Sequence, residues 1–453
     1  MMRITSILTI VLALAAVPAC DLDVPDLNNP GIDQLAENPT PSAVTAACTG
    51  LVIGQRRNHA AANGYVAQLG ILGREAYNFD QADPRYIGEL LQGTLQGGSP
   101  FGGNFWAGPY ANIRLGYTAL HALDKVPEFS AEEKAGISGF IKTMIAIDLL
   151  EVINTRDENG AVIDVDHPID APLGPIADKA AVFTEIARLL DDGATDLSGG
   201  GMEFAFKLSS GYEGFDKPAT YRQFNRAIRA RVAAYQKDYA TVLTALAESF
   251  IDDTATTQAD LDVGVYYTYS TGAGDTTNAL TNPNIYVHPS IETDEMKNGA
   301  TIDKRFTAKV KMATKPGSAQ GLTSMLAFTL YADPSAPVTL IDNEELILLR
   351  AEAKFFTNDV PGAVADLNIV RTVAGGLTGI VGTPTEAQFV TDLLYEREFS
   401  LLFEGHRWID WRRFGRIDML PKDKPDHVIN VRYPIPLAEC NARPGEPKCA
   451  DSK

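Results

Sequence analysis

The densest chemistry in the chain lies near its C-terminal end, between Tyr395 and Gly415. Four acids, Glu396, Glu398, Glu404 and Asp410, are interleaved there with Arg397, Arg407, Arg412 and Arg413 and with Phe403, Trp408 and Trp411. Two carboxyl groups astride a sugar bond are the working parts of a glycosidase, one of them kept protonated to act as an acid. An arginine beside a carboxylate does the opposite and holds it ionised. Glu404/Arg407 and Asp410/Arg413 are three apart, so on one helix each pair shares a face. Guanidinium groups also pair bidentately with carboxylates and stack on indole rings. The spacing therefore predicts a structural lock that fastens the last helix to its scaffold. A lipid-anchored glycoside hydrolase using these acids is the alternative. No His-Glu-x-x-His, Gly-x-Ser-x-Gly, Walker loop or Cys-x-x-Cys is present, and the six histidines are scattered. Asp157, Asn159, Asp164 and Asp166 offer oxygen ligands for calcium, but without the spacing of a calcium loop. No catalytic residue, metal or other cofactor is expected.

Binding then falls to polar loops that carry aromatic rings. Sugars present apolar C–H faces and many hydroxyls, so their sites pair rings with amides, carboxylates and guanidinium groups. Tyr77, Asn78 and Phe79, with Arg85 and Tyr86, have that mix. Phe101 and Asn104 follow in a glycine-rich loop, and Tyr267 and Tyr269 lead into the polar stretch 270–283. These nine are the candidate ligand residues, because function concentrates on loops. Trp106, Trp408 and Trp411 stand at helical spacing and are expected in the core.

The ends speak of location. Met1–Arg3 is a short positive start, Ile7 to Val17 is apolar apart from Thr9, and Val17-Pro18-Ala19-Cys20 closes it. The run is too short for a permanent span and fits a secretory signal, 1–19. Its last residues resemble a lipobox, which makes Cys20 the lipidated residue of a protein held on a membrane. Residues 20–40 are read as an acidic, Pro/Asn-rich tether, and 41–453 as one binding domain with an N-terminal part, 41–260, and a C-terminal part, 261–453. A formal charge of −19 disfavours nucleic acid, and suits a neutral or cationic ligand. Cys440 and Cys449 bracket a turn-rich tail and are a possible disulfide in an oxidising compartment. Cys48 sits in a helix as a small hydrophobe.

The elements that must position these residues are mostly α-helices. Apolar residues recur every three or four positions over 105–123, 134–152, 180–197, 221–235, 239–250, 343–356 and 361–373. Thr40-Pro41 reads as a helix start, and Thr383-Pro384 with Glu386 as a capping box opening a long helix that runs through the acid-rich segment. Asp157-Glu158-Asn159-Gly160, between Val152-Ile153 and Val162-Ile163, reads as a β-hairpin turn. Short strands are expected at 263–269 and 306–311. Arg229-Ala230, Tyr235, Asp238 and Leu246 recur at one constant offset as Arg350-Ala351, Phe356, Asp359 and Leu367. Both copies read as a helix, a two-residue polar turn and a second helix, similar to a tetratricopeptide pair.

In their order along the chain, these features resemble the SusD/RagB family. Glu396 to Gly415 looks like its closing signature. Trp106, Tyr110 and Ile113 resemble its early aromatic helix, and Asp303 and Arg305 its Asp-x-Arg element. Glu345 to Ala353 with Asp366-Leu367-Asn368 and Arg371 resembles its tetratricopeptide-like segment, and Tyr433-Pro434-Ile435-Pro436 its ending. Arg114-Leu115-Gly116 and the Cys440/Cys449 tail depart from the pattern. The resemblance implies a mostly α fold with tetratricopeptide-like helix pairs, long loops and a few short hairpins. It implies a surface-exposed outer-membrane lipoprotein that captures oligosaccharides or peptides and hands them to a SusC-like TonB-dependent transporter. A non-catalytic helical-repeat scaffold is the remaining alternative.

Overall fold

A computed structural model describes residues 32–168, 170–298 and 301–450. The signal segment and Cys20 lie outside the described residues. Long helices follow one another as α1 (Pro41–Arg56), α2 (Tyr65–Leu72), α3 (Ala107–Asp124), α4 (Ala131–Arg156), α5 (Lys179–Ser198), α6 (Pro218–Gln236), α7 (Tyr239–Ala247), α8 (Asn343–Phe356), α9 (Val360–Val373), α10 (Glu386–Ser400) and α11 (Arg407–Arg413). From α3 to α9 each helix packs on its neighbours in sequence, and the short turns between α6 and α7 and between α8 and α9 force those pairs antiparallel. Thr40 caps α1 as expected, its side chain accepting from the Ala43 amide. Ahead of it, Ile32–Glu37 in the expected tether is a short helix with Leu35 buried.

The repeat is real in three dimensions. Lys237 and Asn358, at φ 59° and 69°, take the left-handed conformation that ends α6 and the turn after α8. Asp238 and Asp359 follow and cap the next helices through the amides of Thr241 and Gly362 at 3.2 and 3.0 Å. Ala230 and Ala351 are fully buried where the helices meet. The two hairpins pack on each other through Tyr239 and Phe356, stacked 4.9 Å apart.

Strands are short and antiparallel. β1 (Ala76–Asn78) pairs with β5 (Ile285–Val287), β2 (Ala161–Val162) with β3 (Ile176–Ala177), β4 (Gly264–Tyr267) with β8 (Val338–Asp342), and β6 (Val310–Ala319) with β7 (Leu322–Phe328). The strand expected at 306–311 begins only at Val310; Lys304–Lys309 is helical behind an Asp303 cap.

Three local expectations change. Val152-Ile153 belong to α4, which runs on to Arg156, so the turn at 157–160 leads from a helix into β2 rather than closing a hairpin. Asp157 and Gly160 supply its positive φ angles. Helix α10 is capped by Thr385 with Gln388, not by Thr383 with Glu386. The long final helix is broken after Ser400. Phe403 sits at φ 58° and Gly405 at φ 89°. Phe403 is held there because its N–H donates to Glu75 at 2.9 Å, its carbonyl accepts from the Tyr331 hydroxyl at 3.0 Å, and its ring stacks on Phe328.

The acid-rich segment is a lock, as expected, but not through every expected pair. Asp410 is held by Arg397 at 2.7 Å and Arg413 at 2.8 Å, and its carboxyl stays down at about 2. Arg413 also grips Glu352, Arg305 and Arg371 both hold Glu396, and Arg231 holds Glu345. Glu404 falls in the helix break, away from the shared face predicted with Arg407; Arg407 turns to Glu398 and Asp294. Burial pushes both Glu398 and Glu404 up to about 7, so adjacency in sequence to arginine does not keep them ionised. Trp106 and Trp408 are core residues; Trp411 is half-buried against it.

The chain's last stretch returns to its first. Arg74, fully buried, donates to the carbonyls of Pro421 and Val428, Asn430 donates to those of Leu90 and Gly93, and the Tyr433 hydroxyl donates to Gln68. Cys440 and Cys449 are joined in a disulfide, and Cys48 is buried and free.

Candidate functional site

A cavity of about 130 Å³ opens where the end of α1, the start of α3 and the middle of α4 meet. Gln55, Asn58, Asn63 and Asn104 line it with amides, Asp148 and Glu151 with carboxyls, and Phe105 with a ring. Each is placed by a distinct device. Gln55 ends the buried face of α1, and neither its amide nitrogen nor its oxygen has a partner among the described residues. Asn58 and Asn63 are exposed on the turn between α1 and α2. That turn is pinned by Gln68, which donates to the Asn63 carbonyl and accepts from Tyr433. Asn104 is positioned by the buried Arg156, whose guanidinium donates to its carbonyl and lies over the rings of Trp106 and Tyr433. Phe105 takes φ 59°, unusual for a bulky residue and the kind of backbone strain that clusters at working sites. Its ring meets Tyr65 and Tyr433 edge-on, each at 5.5 Å.

The two carboxyls are unlike free ones. Asp148 is fully buried and accepts from the Asn112 amide at 2.7 Å; burial holds it well above the usual carboxylate range. Glu151, one turn on and half-buried, is pushed up by burial to about 8. Near neutral pH Glu151 keeps its proton for the most part and can donate as well as accept a hydrogen bond, and burial disfavours the charge on Asp148 too. The site thus offers neutral donors and acceptors around an aromatic wall. It suits a ligand rich in hydroxyls, with no fixed charge.

The nine residues singled out in the sequence fare differently. Only Asn104 lines this cavity. Tyr77, Asn78, Phe79, Tyr86, Phe101 and Tyr267 are buried, which corrects the expectation that their rings face a ligand. The physical cause is packing: β1 is paired along its edge with β5, and each ring is covered by a partner of its own. Tyr77 packs on His288, Phe79 on Tyr286, Tyr86 on Phe101, and Tyr267 on His59. Arg85 is exposed, spread over Phe101 and paired with Asp83. Tyr269, also mostly buried, edges a separate cleft of about 420 Å³ with Arg56, Lys207 and Ser209. Three of the cavity's amides fall within nine residues at and just past the end of α1, a signal legible in the sequence that aromatic content alone does not pick out. Three of the four calcium candidates are otherwise engaged: Asp157 with Lys179 and Arg412, Asn159 with the Tyr433 carbonyl, Asp166 with His121. Among the described residues no cluster of His, Cys, Asp or Glu is arranged to hold a metal ion, and no helix is long and apolar enough to cross a membrane.

Residues 344–445 match the SusD family. Among solved structures, a SusD superfamily protein from Bacteroides vulgatus is similar at 14% identity, with 91% of this chain and 98% of that one covered and a TM-score of 0.68. A SusD-like carbohydrate binding protein from Bacteroides fragilis gives 14% identity, coverage of 88% and 98%, and a TM-score of 0.67. A laminarin binding SusD-like protein gives 16% identity, coverage of 88% and 97%, and a TM-score of 0.62. No curated protein matches the chain by sequence. The resemblance to the SusD/RagB family holds on both counts, the C-terminal segment and the fold.

Proposed function

With a SusD family segment on a SusD-like fold, this chain is, we propose, a cell-surface binding protein for saccharides that delivers them to a TonB-dependent outer-membrane transporter. The observation that carries the reading is the amide cavity at Gln55, Asn58, Asn63 and Asn104 beside the Phe105 ring. Sugar hydroxyls both donate and accept, and amides and protonated carboxyls answer both. The ring covers the apolar face of a pyranose. Lipid on Cys20 holds the protein to the outer membrane, and the channel below takes the released ligand.

The test is a binding assay on the purified protein with a panel of neutral oligosaccharides, β-glucans included. Asn58→Ala and Asn104→Ala each remove one or two neutral hydrogen bonds, an expected loss of roughly 5- to 20-fold in affinity. Unchanged affinity in both variants would remove the cavity from the reading. Copurification with a large β-barrel tests the transporter, and release of a Cys20→Ala variant from membranes tests the anchor.

Hydrolysis has one observation in its favour, the raised carboxyls of Asp148 and Glu151. A glycosidase needs one acid and one ionised base or nucleophile. Burial disfavours the charged form of both carboxyls, so neither is well placed to be the second, and binding is the better reading.

A further inference from the structure

The hairpin β6–β7 carries an irregularity that its fold does not require. Met312 pairs with Leu326 and Gly317 with Ser324, so residues 313–316 all face Met325 alone. Such a bulge gives up ladder hydrogen bonds and re-aims side chains, and bulges gather beside binding sites. This one lines a second cavity of about 290 Å³, between the hairpin and residues 280–286, with Thr314 and Lys315. Lys311 reaches it from the strand, and Asn282 and Tyr286 from the opposite wall. Gly317 lets the hairpin rest directly on the Tyr286 ring, where a Cβ would come within 2.4 Å of it.

Charge singles the cavity out. The chain carries −19 overall, yet Lys311 and Lys315 are exposed and neither has an ion-pair partner among the described residues. Elsewhere the hairpin's neighbours are engaged: Lys309 donates to the Ser400 carbonyl and Lys424 to that of Gln320. Two unpaired ammonium groups over one aromatic-walled cavity favour an anion against the field of the whole protein. An amide, a hydroxyl and a tyrosine ring beside them match a sugar ring rather than a bare ion. The volume is near the lower end for small-molecule sites.

We propose that the bulged hairpin and the 280–286 loop form a second saccharide site, separate from the amide cavity and selective for sugars that bear a carboxylate or a sulfate. For its ligand class it rests on the saccharide-binding reading above. It revises the expectation, drawn from net charge alone, of a neutral or cationic ligand.

The purified full-length protein is tested against polygalacturonate for the carboxylate, chondroitin sulfate for the sulfate, and laminarin as a neutral glucan. Expected is binding to one or both acidic polymers that weakens as ionic strength rises to about 1 M. The double variant Lys311→Met/Lys315→Met is expected to lose roughly tenfold in that affinity, the scale of two partly exposed charge pairs. Its binding of any neutral glucan and its melting temperature stay unchanged, whereas Asn58→Ala shows the reverse pattern. Absence of binding to both acidic polymers, or full binding by the lysine variant, overturns the proposal. If laminarin and other neutral glycans bind while acidic ones do not, the second site falls and the first reading stands. If no saccharide of either kind binds, both fall.

Discussion

Arg231→Met is the substitution whose cost can be worked most directly from the structure. Arg231 and Glu345 are both buried, 7% and 1% exposed. The guanidinium donates from Nε to the carboxylate at 2.9 Å and from Nη2 both to its second oxygen and to the Leu340 carbonyl on β8. The pair thereby ties α6, β8 and α8 together. Burial alone would push the Glu345 carboxyl up, yet Arg231 and its neighbours hold it at about 2 against an ordinary 4.5. At neutral pH that difference is worth ~3 kcal/mol. The lost bond to Leu340 adds ~1 kcal/mol. Arg397, at 3.8 Å, is too far to replace the missing partner. The expected loss is therefore about 3–5 kcal/mol, the usual cost of leaving one member of a buried pair alone. Urea unfolding at pH 7 with linear extrapolation measures it. Because the folded carboxyl lies below its unfolded value, the benefit is present above about 4.5 and fades as pH falls toward about 2. The gap between wild type and variant should narrow in that window. Arg231→Met/Glu345→Leu removes the orphaned charge and should recover most of the loss. A single-variant loss below ~1 kcal/mol, or a double variant no better than the single, would refute the reasoning.

Other expectations concern packing, the site and pH. Gly70→Ala places a Cβ 2.6 Å from the Phe403 ring and should cost about 1–3 kcal/mol, read as a lower melting temperature; an unchanged melt would mean the break after α10 yields freely. Gln55→Met replaces an unpartnered buried amide by a side chain of similar length, and should stabilise the ligand-free protein by ~1–2 kcal/mol while weakening saccharide binding. Glu75 and Glu151 near 8, with Glu398 and Glu404 near 7, hold protons in the folded state that the unfolded chain releases near 4.5. Raised carboxyls lose their contribution as pH climbs, so stability should fall from about pH 5 to about pH 8, followed by denaturation at fixed ionic strength. His59 and His406, lowered by burial to about 3 and about 4, work the other way below 6.5, which places the optimum in mildly acidic solution. A stability maximum above pH 8 would contradict these assignments.

Local rules carried the helices well. Helical period, the Thr40 start and the turns of the repeat at 229–246 and 350–367 rest on short-range signals, and the structure keeps them. Tertiary partners decided the rest. The helix expected through 415 breaks because Phe403 is claimed by Glu75, Tyr331 and Phe328, none of them near it in sequence. The rings of Tyr77 and Phe79 look like loop aromatics until Tyr286 and His288, from two hundred residues downstream, pack on them. Asn104, singled out for its glycine-rich loop, lines the candidate cavity. Asp148 and Glu151 were not singled out, since in sequence they are two acids in an apolar helix, and only the cavity beside them gives them a task.

The return of residues 421–437 to the N-terminal elements also fixes an order of assembly. Arg74, Gln68 and Arg156 stand fully buried, and they find Pro421, Val428 and Tyr433 only when the end of the chain arrives. A nascent chain ending before 420 lacks these partners, so it gains less by closing early. The amide cavity, whose wall at Phe105 leans on Tyr433, is then among the last features to form. A polypeptide that stays open until its final residues emerge remains extended through most of its synthesis.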